Sequence, residues 1–238
     1  MHSSCGWSRR VADGVNVRTH HGIEGVESLV GAVVVIDVFR ASNTIISLLG
    51  AGARDVFLLA DIVKARSLKA RNPKQLLLGE RGGITPDDFD GGNSPANVGS
   101  LITPGDSPIL TTSAGTQAIS RLEAADLILF ASFANAAAVA RALQVRRPIS
   151  VTLLPMGLEA RTPALEDDEA AAWIGGLIEG RSQDFTGVRQ RLLDCDGAAR
   201  LRRLGQADDL AFCTELDTRS LVPVVVQGDP PRVISLVD

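Results

Sequence analysis

The residues best suited to chemistry stand where an apolar run ends in an acid. The segment Gly31–Thr44 reads GAVVVIDVFRASNT, and its β-branched residues 33–36 predict a buried strand. Asp37 ends this strand, Arg40 follows, and a helical pattern then opens. Ligands of open α/β sheets bind at such junctions, because the first N–H groups of a helix are unpaired. We therefore predict that Arg40 binds a phosphate or sulfonate and that Asp37 offers an oxygen ligand to Mg²⁺. A helix-capping Asp is the alternative.

A second set of candidate residues lies in the stretch 80–107, which shows no helix or strand period. A loop of this length inside a compact domain is usually functional or mobile. The candidates differ in chemistry: Glu80, Asp88 and Asp90 for a divalent metal, Arg81 for an oxyanion, and Asn93 and Ser94 for hydrogen bonds to a ligand. We expect this loop to lie over the carboxyl edge of the sheet, with Glu80 and Asp90 near Asp37. A solvated glycine-rich loop is the alternative.

Hydroxyl and amide side chains occur at two further junctions between a predicted strand and a predicted helix. The candidate substrate-binding residues there are Thr111, Thr112 and Thr116 at one junction and Ser132 and Asn135 at the other. One such junction is ordinary helix capping. Three of them, counting the junction at 40–44, could converge on one anion at the carboxyl edge of a sheet.

The elements that must position these residues alternate between strands and helices. The apolar patterns predict strands at 55–60, 75–78, 108–112, 126–131, 149–154, 222–226 and 233–237, and helices at 61–71, 114–124, 135–143, 163–178, 184–204 and 207–215. Residues 11–17 suggest an edge strand. Such alternation predicts an α/β fold with a largely parallel central sheet and helices on both faces. Because no linker or repeat interrupts the pattern, we predict one domain over residues 1–238.

Composition narrows the classes of function. The chain of 238 residues carries a formal net charge of −4, 4% aromatic residues and no Tyr. These values argue against a nucleic-acid surface, so an anionic substrate requires a local arginine cluster. The three cysteines are scattered, which suits a reducing cytoplasm. No apolar run approaches the roughly 20 residues that span a bilayer, so we expect no membrane partner.

Two known phosphatase patterns match only superficially. Cys213 and Arg219 fit the C-x5-R spacing of cysteine-dependent phosphatases, but Glu215 and Asp217 between them would repel phosphate. We therefore predict that Cys213, like Cys195, is an inert core residue. The strand ending in Asp37 also resembles that of haloacid-dehalogenase-like enzymes, although Phe39 occupies the position of their second acid. Asp37 as a covalent nucleophile remains an alternative.

Six blocks in order carry a more specific resemblance: IDVFRASNT (36–44), GERGG (79–83), DFDGGNSP (88–95), LTTSAGT (110–116), SFANAAAVA (132–140) and ALEDDEAA (164–171). Together they resemble the magnesium-dependent 2-phosphosulfolactate phosphatases of coenzyme M biosynthesis, over most of residues 31–225. Three positions depart from the commoner family pattern: Asn43 where Thr is usual, Ala114 where Asn is usual and Ala131 where Gly is usual. Ala114 removes an amide from a predicted anion-binding loop, which leaves the substrate's identity open.

The resemblance implies hydrolysis of (2R)-2-phospho-3-sulfolactate to 3-sulfolactate and phosphate with Mg²⁺. It also implies an α/β/α fold and self-association as a homodimer or another homo-oligomer. The implied catalytic residues are Asp37, Arg40 and Glu80, and the candidate metal ligands are Asp37, Glu80, Asp90, Glu166 and Asp167. Acids at 166–167 also suit the dipole of a predicted helix. A non-catalytic anion-binding module is the alternative from another class.

Overall fold

The computed structural model describes residues 15–112 and 115–236. Most of the predicted edge strand at 11–17 lies outside these ranges, as does Ala114. Within them nine strands form one sheet: β1 (Asn16–Thr19), β2 (Ala32–Ile36), β3 (Val56–Leu58), β4 (Leu77–Gly79), β5 (Ile109–Thr111), β6 (Leu127–Ala131), β7 (Ser150–Pro155), β8 (Pro223–Val226) and β9 (Arg232–Ser235). β1 takes an edge position, as the sequence suggested.

Two parallel groups make up the sheet, in the order β1-β7-β2-β6-β8-β9-β3-β5-β4. β1, β7, β2 and β6 are mutually parallel, and so are β3, β5 and β4. β8 and β9 pair antiparallel with each other. β8 also pairs antiparallel with β6, and β9 pairs antiparallel with β3. The predicted α/β fold with a largely parallel sheet is therefore confirmed.

The antiparallel insertion reverses one group relative to the other. β5 consequently runs opposite to β2 and β6, so the three junctions do not share one edge of the sheet as we had expected. Neighbouring strands rotate by about 20–25°, and this twist accumulates across a wide sheet. The carboxyl ends of the two groups therefore need not face opposite sides of the molecule.

The helices differ from the predicted ones mainly in their ends. They are α1 (Ala41–Gly50), α2 (Ile62–Arg71), α3 (Pro95–Val98), α4 (Gly115–Ile119), α5 (Ala136–Arg146), α6 (Leu165–Ile178), α7 (Phe185–Asp194), α8 (Asp196–Arg203) and α9 (Ala207–Cys213). The single helix predicted at 184–204 is two helices, because Cys195 has an extended backbone between α7 and α8. The stretch 80–107 was expected to lack helix but contains α3. No helix within the described ranges has the length and apolarity to span a bilayer.

β2 shows why helices cover both faces of the sheet. All five of its residues are fully buried, because neighbouring side chains point to opposite faces and each face is covered. Ala32, Val34 and Ile36 pack on one side with residues of α5 and α6. Val33 and Val35 pack on the other with residues of α1 and α4. This double packing fixes the end of β2, from which the site begins.

Candidate active site

A cavity of about 600 Å³ lies beside the end of β2. One side, which we name the strand-end wall, is formed by Asp37, Arg40, Glu80, Asn93 and Thr112. The opposite side, the helical wall, belongs to the α7–α8 region and is formed by Cys195, Asp196, Arg200, Leu201, Arg203 and Leu204. Residues 157–167 complete the lining. The long loop thus contributes Glu80, Gly82, Gly83 and Asn93 to the cavity.

Asp37 lies at the N-terminus of α1. Its Oδ1 accepts a hydrogen bond of 3.1 Å from the Ala41 N–H, and only 8% of the residue is exposed. Burial, together with the charges of Glu80 and Glu166, raises the pKa of this carboxyl to about 6, against the lowering effect of backbone N–H donors. Asp37 therefore both caps the helix and lines the cavity, so the two readings of its role are compatible.

Arg40 is fixed by a carboxylate that the site prediction did not include. Its Nη1 donates a 3.2 Å hydrogen bond to Oδ2 of Asp209 in α9, and both residues are buried. Oδ1 of Asp209 accepts from Ser94 Oγ at 2.5 Å. The guanidinium has five N–H donors, and this ion pair uses one of them, so others can serve a ligand. Ser94, predicted to bind substrate, instead helps to position Asp209.

Glu80 reaches the cavity at the end of β4. Gly79 precedes it with a φ of +145°, and a Cβ there would lie 1.9 Å from the carbonyl oxygen of Thr111, so only glycine fits. The Glu80 Oε2 accepts a 2.7 Å bond from the Gly83 N–H, which closes the turn 80–83. This turn carries the Glu80 carboxylate toward Asp37.

Glu166 and Asp167 line the cavity from the first turn of α6. The two oxygens of Asp167 accept from the N–H groups of Val38 (2.7 Å) and Gly157 (2.8 Å), so this carboxylate ties α6 to the turn after Asp37. Burial raises the pKa of Asp167, with the Asp37 and Glu166 charges acting in the same direction. Burial likewise raises the pKa of Glu166. These acids do more than complement a helix dipole.

Two buried polar atoms on the strand-end wall lack a protein partner. They are Oδ1 of Asn93 and Oγ1 of Thr112, in residues only 4% and 3% exposed. An unsatisfied buried polar group is costly and requires an explanation. Because both residues line the cavity, a bound ligand can satisfy them.

Three predicted substrate-binding residues are not among the described lining residues and instead support the strand-end wall through hydrogen bonds. They are Arg81, Thr111 and Thr116. Arg81 donates from Nη2 to Oγ1 of Thr111 at 2.7 Å and from Nη1 to its neighbour's carbonyl. Thr116 donates to the carbonyl of Thr112 at 2.9 Å. The three side chains therefore hold the Glu80 turn and the end of β5 in place.

The prediction for Ser132 and Asn135 is corrected in the same way. Both side chains are fully buried, and they form a capping box at the start of the short 3₁₀ helix Phe133–Asn135, which precedes α5. Ser132 Oγ donates to Oδ1 of Asn43 at 2.7 Å, and Asn43 Nδ2 donates to the Val38 carbonyl at 2.9 Å. Asn43, where Thr is usual, thus links β6 to the turn after Asp37.

Asp90 also lies apart from the described cavity lining. Its Oδ2 accepts from Lys69 Nζ and from the Leu77 N–H, each at 2.7 Å. The expectation that Asp90 joins Asp37 and Glu80 is therefore wrong in its placement. The loop bends between Asp90 and Asn93, so only the latter reaches the cavity.

Known proteins resemble this chain over most of its length. The model of the family described as 2-phosphosulpholactate phosphatase matches residues 18–228. The chain belongs to this family. Three curated relatives carry the name "Probable 2-phosphosulfolactate phosphatase". The one from Deinococcus radiodurans is 33% identical over 82% of this chain and 88% of its own. The one from Parasynechococcus marenigrum is 35% identical over 81% and 88%, and that from Thermoplasma acidophilum is 30% identical over 86% and 92%.

The family's name denotes a phosphoric monoester hydrolase, and the cysteines fit a role other than nucleophile. Cys195 lines the cavity at the junction of α7 and α8, rather than lying within a helix as we had expected. Burial raises the pKa of its thiol to about 11, so little thiolate exists at neutral pH. Cys213 is fully buried, and burial raises its pKa well above the usual value.

The donor chemistry suits Mg²⁺, although no preformed cage exists. Among the described residues, no three His, Cys, Asp or Glu side chains are grouped closely enough to hold an ion. Mg²⁺ usually takes one or two carboxylates together with waters and substrate phosphate oxygens. Asp37 and Glu80, whose charges act on each other within one cavity, meet that description.

Proposed function

We propose that this chain is a Mg²⁺-dependent phosphatase of a small, multiply anionic phosphate monoester, (2R)-2-phospho-3-sulfolactate. The family match supports the reaction class. The observation that carries the proposal is that Asp37 and Arg40 both follow the end of β2 and line the same cavity. Asp37 is the candidate metal ligand, and Arg40 is the candidate ligand of the phosphate.

The charge of the cavity supports the requirement for a cation. Its described lining residues carry seven carboxylates and three guanidinium groups. An ester with phosphate, sulfonate and carboxylate groups would be repelled by this surplus of acids. A divalent cation between the carboxylates and the phosphate reverses the local electrostatics. The raised pKa of Asp37 has the same origin, because burial and neighbouring acids disfavour its charge.

The residues of the strand-end wall then take distinct roles. Asp37 and Glu80 would hold Mg²⁺, which polarises a phosphoryl oxygen and lowers the pKa of a bound water. Arg40, fixed by Asp209, binds phosphoryl oxygens and holds the ester in line for attack by water. Thr112 Oγ1, which lacks a protein partner, donates to one of the remaining oxygens of the ligand, and Asn93 Oδ1 accepts a hydrogen bond from a donor such as a water molecule.

Asp37 as a covalent nucleophile is the mechanistic alternative. Its Oδ1 is engaged by the Ala41 N–H, which leaves Oδ2 as the candidate attacking atom. Rapid quenching with a ³²P-labelled substrate distinguishes the two mechanisms. Attack by water leaves no labelled protein, whereas a nucleophilic Asp37 leaves an acyl phosphate.

Phosphate release by the purified protein tests the proposal. The panel comprises 2-phosphosulfolactate, 2-phospholactate and 3-phosphoglycerate, each with Mg²⁺ and with EDTA. We expect release from the sulfonated ester with Mg²⁺ and its loss with EDTA. Binding of the esters without release would instead identify a non-catalytic module. Arg40→Lys should raise KM by about tenfold to a hundredfold, because a point charge replaces a fork that bonds an anion.

Self-association and a cytoplasmic location remain predictions of the resemblance and the composition. Light scattering coupled to size exclusion measures the first, and fractionation of the source cells measures the second.

A further inference from the structure

Two guanidinium groups line the cavity from the helical wall, those of Arg200 and Arg203, and Arg200 is the more buried of the two. Arg200, near the end of α8, is half-buried and lines the cavity. Within the described residues, no ion pair involves it. Asp196 precedes it by four positions on the same helix, a spacing that often supports an ion pair. Arg200 thus remains unpaired although acids surround it.

Three other arginines show the alternative, a pairing with a carboxylate. Arg40 is bound by Asp209, and Arg191 is bound by both carboxylate oxygens of Glu169. Arg66 engages Asp88 in the same two-point way. An arginine with carboxylates nearby normally pairs, since the charge-assisted bonds are favourable. The Arg200 side chain is therefore free to bind an anion that enters the cavity.

The position of Arg200 places its guanidinium beside the turn that carries Glu80, a proposed metal ligand. An added Cβ at Gly83 would lie 3.6 Å from Arg200 Nη2 and only 2.8 Å from a Leu204 methyl carbon. Gly83 also has a φ of +89°, so a larger residue is doubly excluded. Because the Gly83 N–H is bonded to Glu80, the Arg200 guanidinium lies against the turn that carries this carboxylate. A ligand on Glu80 and Arg40 would extend toward Arg200.

We propose that Arg200 is the specificity-determining cation of the site and binds the second anion of the substrate, its sulfonate. This rests on the proposed function, in which Arg40 binds the phosphoryl group. In 2-phospho-3-sulfolactate the sulfonate is on the carbon next to the one that bears the phosphate, so both groups can span the cavity between its two walls. The planar guanidinium can donate two parallel hydrogen bonds to two sulfonate oxygens.

The ratio of two specificity constants tests the assignment. The probes are 2-phosphosulfolactate and 2-phospholactate, which differ only in the sulfonate. We expect Arg200→Gln to lower the ratio of their kcat/KM values by about tenfold to a hundredfold, the effect of a lost charge-assisted bond. Arg40→Lys should lower both values and leave the ratio unchanged. Arg202→Gln is the matched control, because this exposed arginine of α8 is not among the described lining residues.

An unchanged ratio in a folded Arg200→Gln variant would overturn the assignment. If the wild-type protein releases phosphate from neither ester, the proposed function fails, and calorimetric binding of 3-sulfolactate still tests Arg200. Binding that weakens by tenfold or more in Arg200→Gln, but not in Arg202→Gln, supports the sulfonate subsite. Equal binding by all three proteins rejects it.

Discussion

The two walls of the cavity are built in different ways. On the strand-end wall, Asp37, Arg40 and Thr112 are buried, and their backbones follow strands that pack on both faces. On the helical wall, Arg200 is half-buried and Arg203 is exposed, and both belong to a two-turn helix. Groups that act on a transition state must be held rigidly, and a sheet provides this better than a short helix. In the proposed assignment the helical wall only binds the rest of the substrate, which needs less rigidity.

Asp209→Ala should have the largest effect on stability, because it removes the carboxylate that binds Arg40 of the strand-end wall. The variant leaves Arg40 as a buried cation without its partner, which is expected to destabilise the fold by about 3–5 kcal/mol. Urea denaturation measures this loss. The double variant Arg40→Ala/Asp209→Ala should recover part of it, since no buried charge then remains unpaired. Equal stability of the single and double variants would contradict the ion-pair argument.

Asp37→Asn should abolish most activity but stabilise the metal-free protein. The folded pKa of about 6 exceeds the ordinary 3.8, so the folded state binds this proton more tightly. The stability that protonated Asp37 contributes to the folded state is fully present below about pH 4 and is lost as the pH rises through 6. Ionised Asp37 therefore costs about 3 kcal/mol at pH 8. Melting in EDTA should show the variant above wild type at pH 8 and level with it at pH 4. A variant that melts lower at both pH values would show that capping dominates.

Mg²⁺ should stabilise the wild-type protein through the strand-end wall alone. A ligand at a hundred times its Kd adds about 2.7 kcal/mol to the free energy of unfolding. We expect a rise in Tm with Mg²⁺ in wild type and its loss in Asp37→Asn. Asp90→Asn should keep the response, because Asp90 is bound by Lys69 outside the cavity lining. Loss of the response in Asp90→Asn would restore Asp90 as a candidate ligand.

Cys213→Ala should have the smallest effect, because the residue is not among the described residues that line the cavity. Its thiol is fully buried and carries a raised pKa. We expect kcat within about twofold of wild type and a modest loss of stability from the deleted sulfur. A fall of several orders of magnitude in a folded variant would refute the metal mechanism.

The sequence predicted the local elements of the site better than their assembly. The apolar run before Asp37 and the polar turn after it are encoded by neighbouring residues, so β2 and α1 could be located. Asp209 was missed because its contact with Arg40 spans 169 positions. Arg200 lies in the arginine-rich segment 184–204, which was predicted as a helix without a candidate site residue. No local pattern distinguishes a cation that faces a cavity from one that faces water.

The order of the strands could not be predicted for the same reason. Residues 223–226 and 232–235 were correctly identified as strands, yet their place between β6 and β3 depends on distant pairing. Ser132 and Asn135 show the consequence for the site. Their polar types suggested a ligand, whereas their burial reveals a cap and a link to Asn43.

The antiparallel pair β8–β9 gives this protein a distinctive order of events during synthesis. β2 and β6 can pair early, as can β4 and β5, but within the described sheet the two groups are joined only through β8 and β9. Asp37 belongs to one group, and Glu80 and Thr112 to the other. In a nascent chain, both groups of strands can therefore form before they assemble into the complete cavity. Hydrolytic activity should emerge abruptly once residue 235 has left the ribosome, rather than growing with chain length.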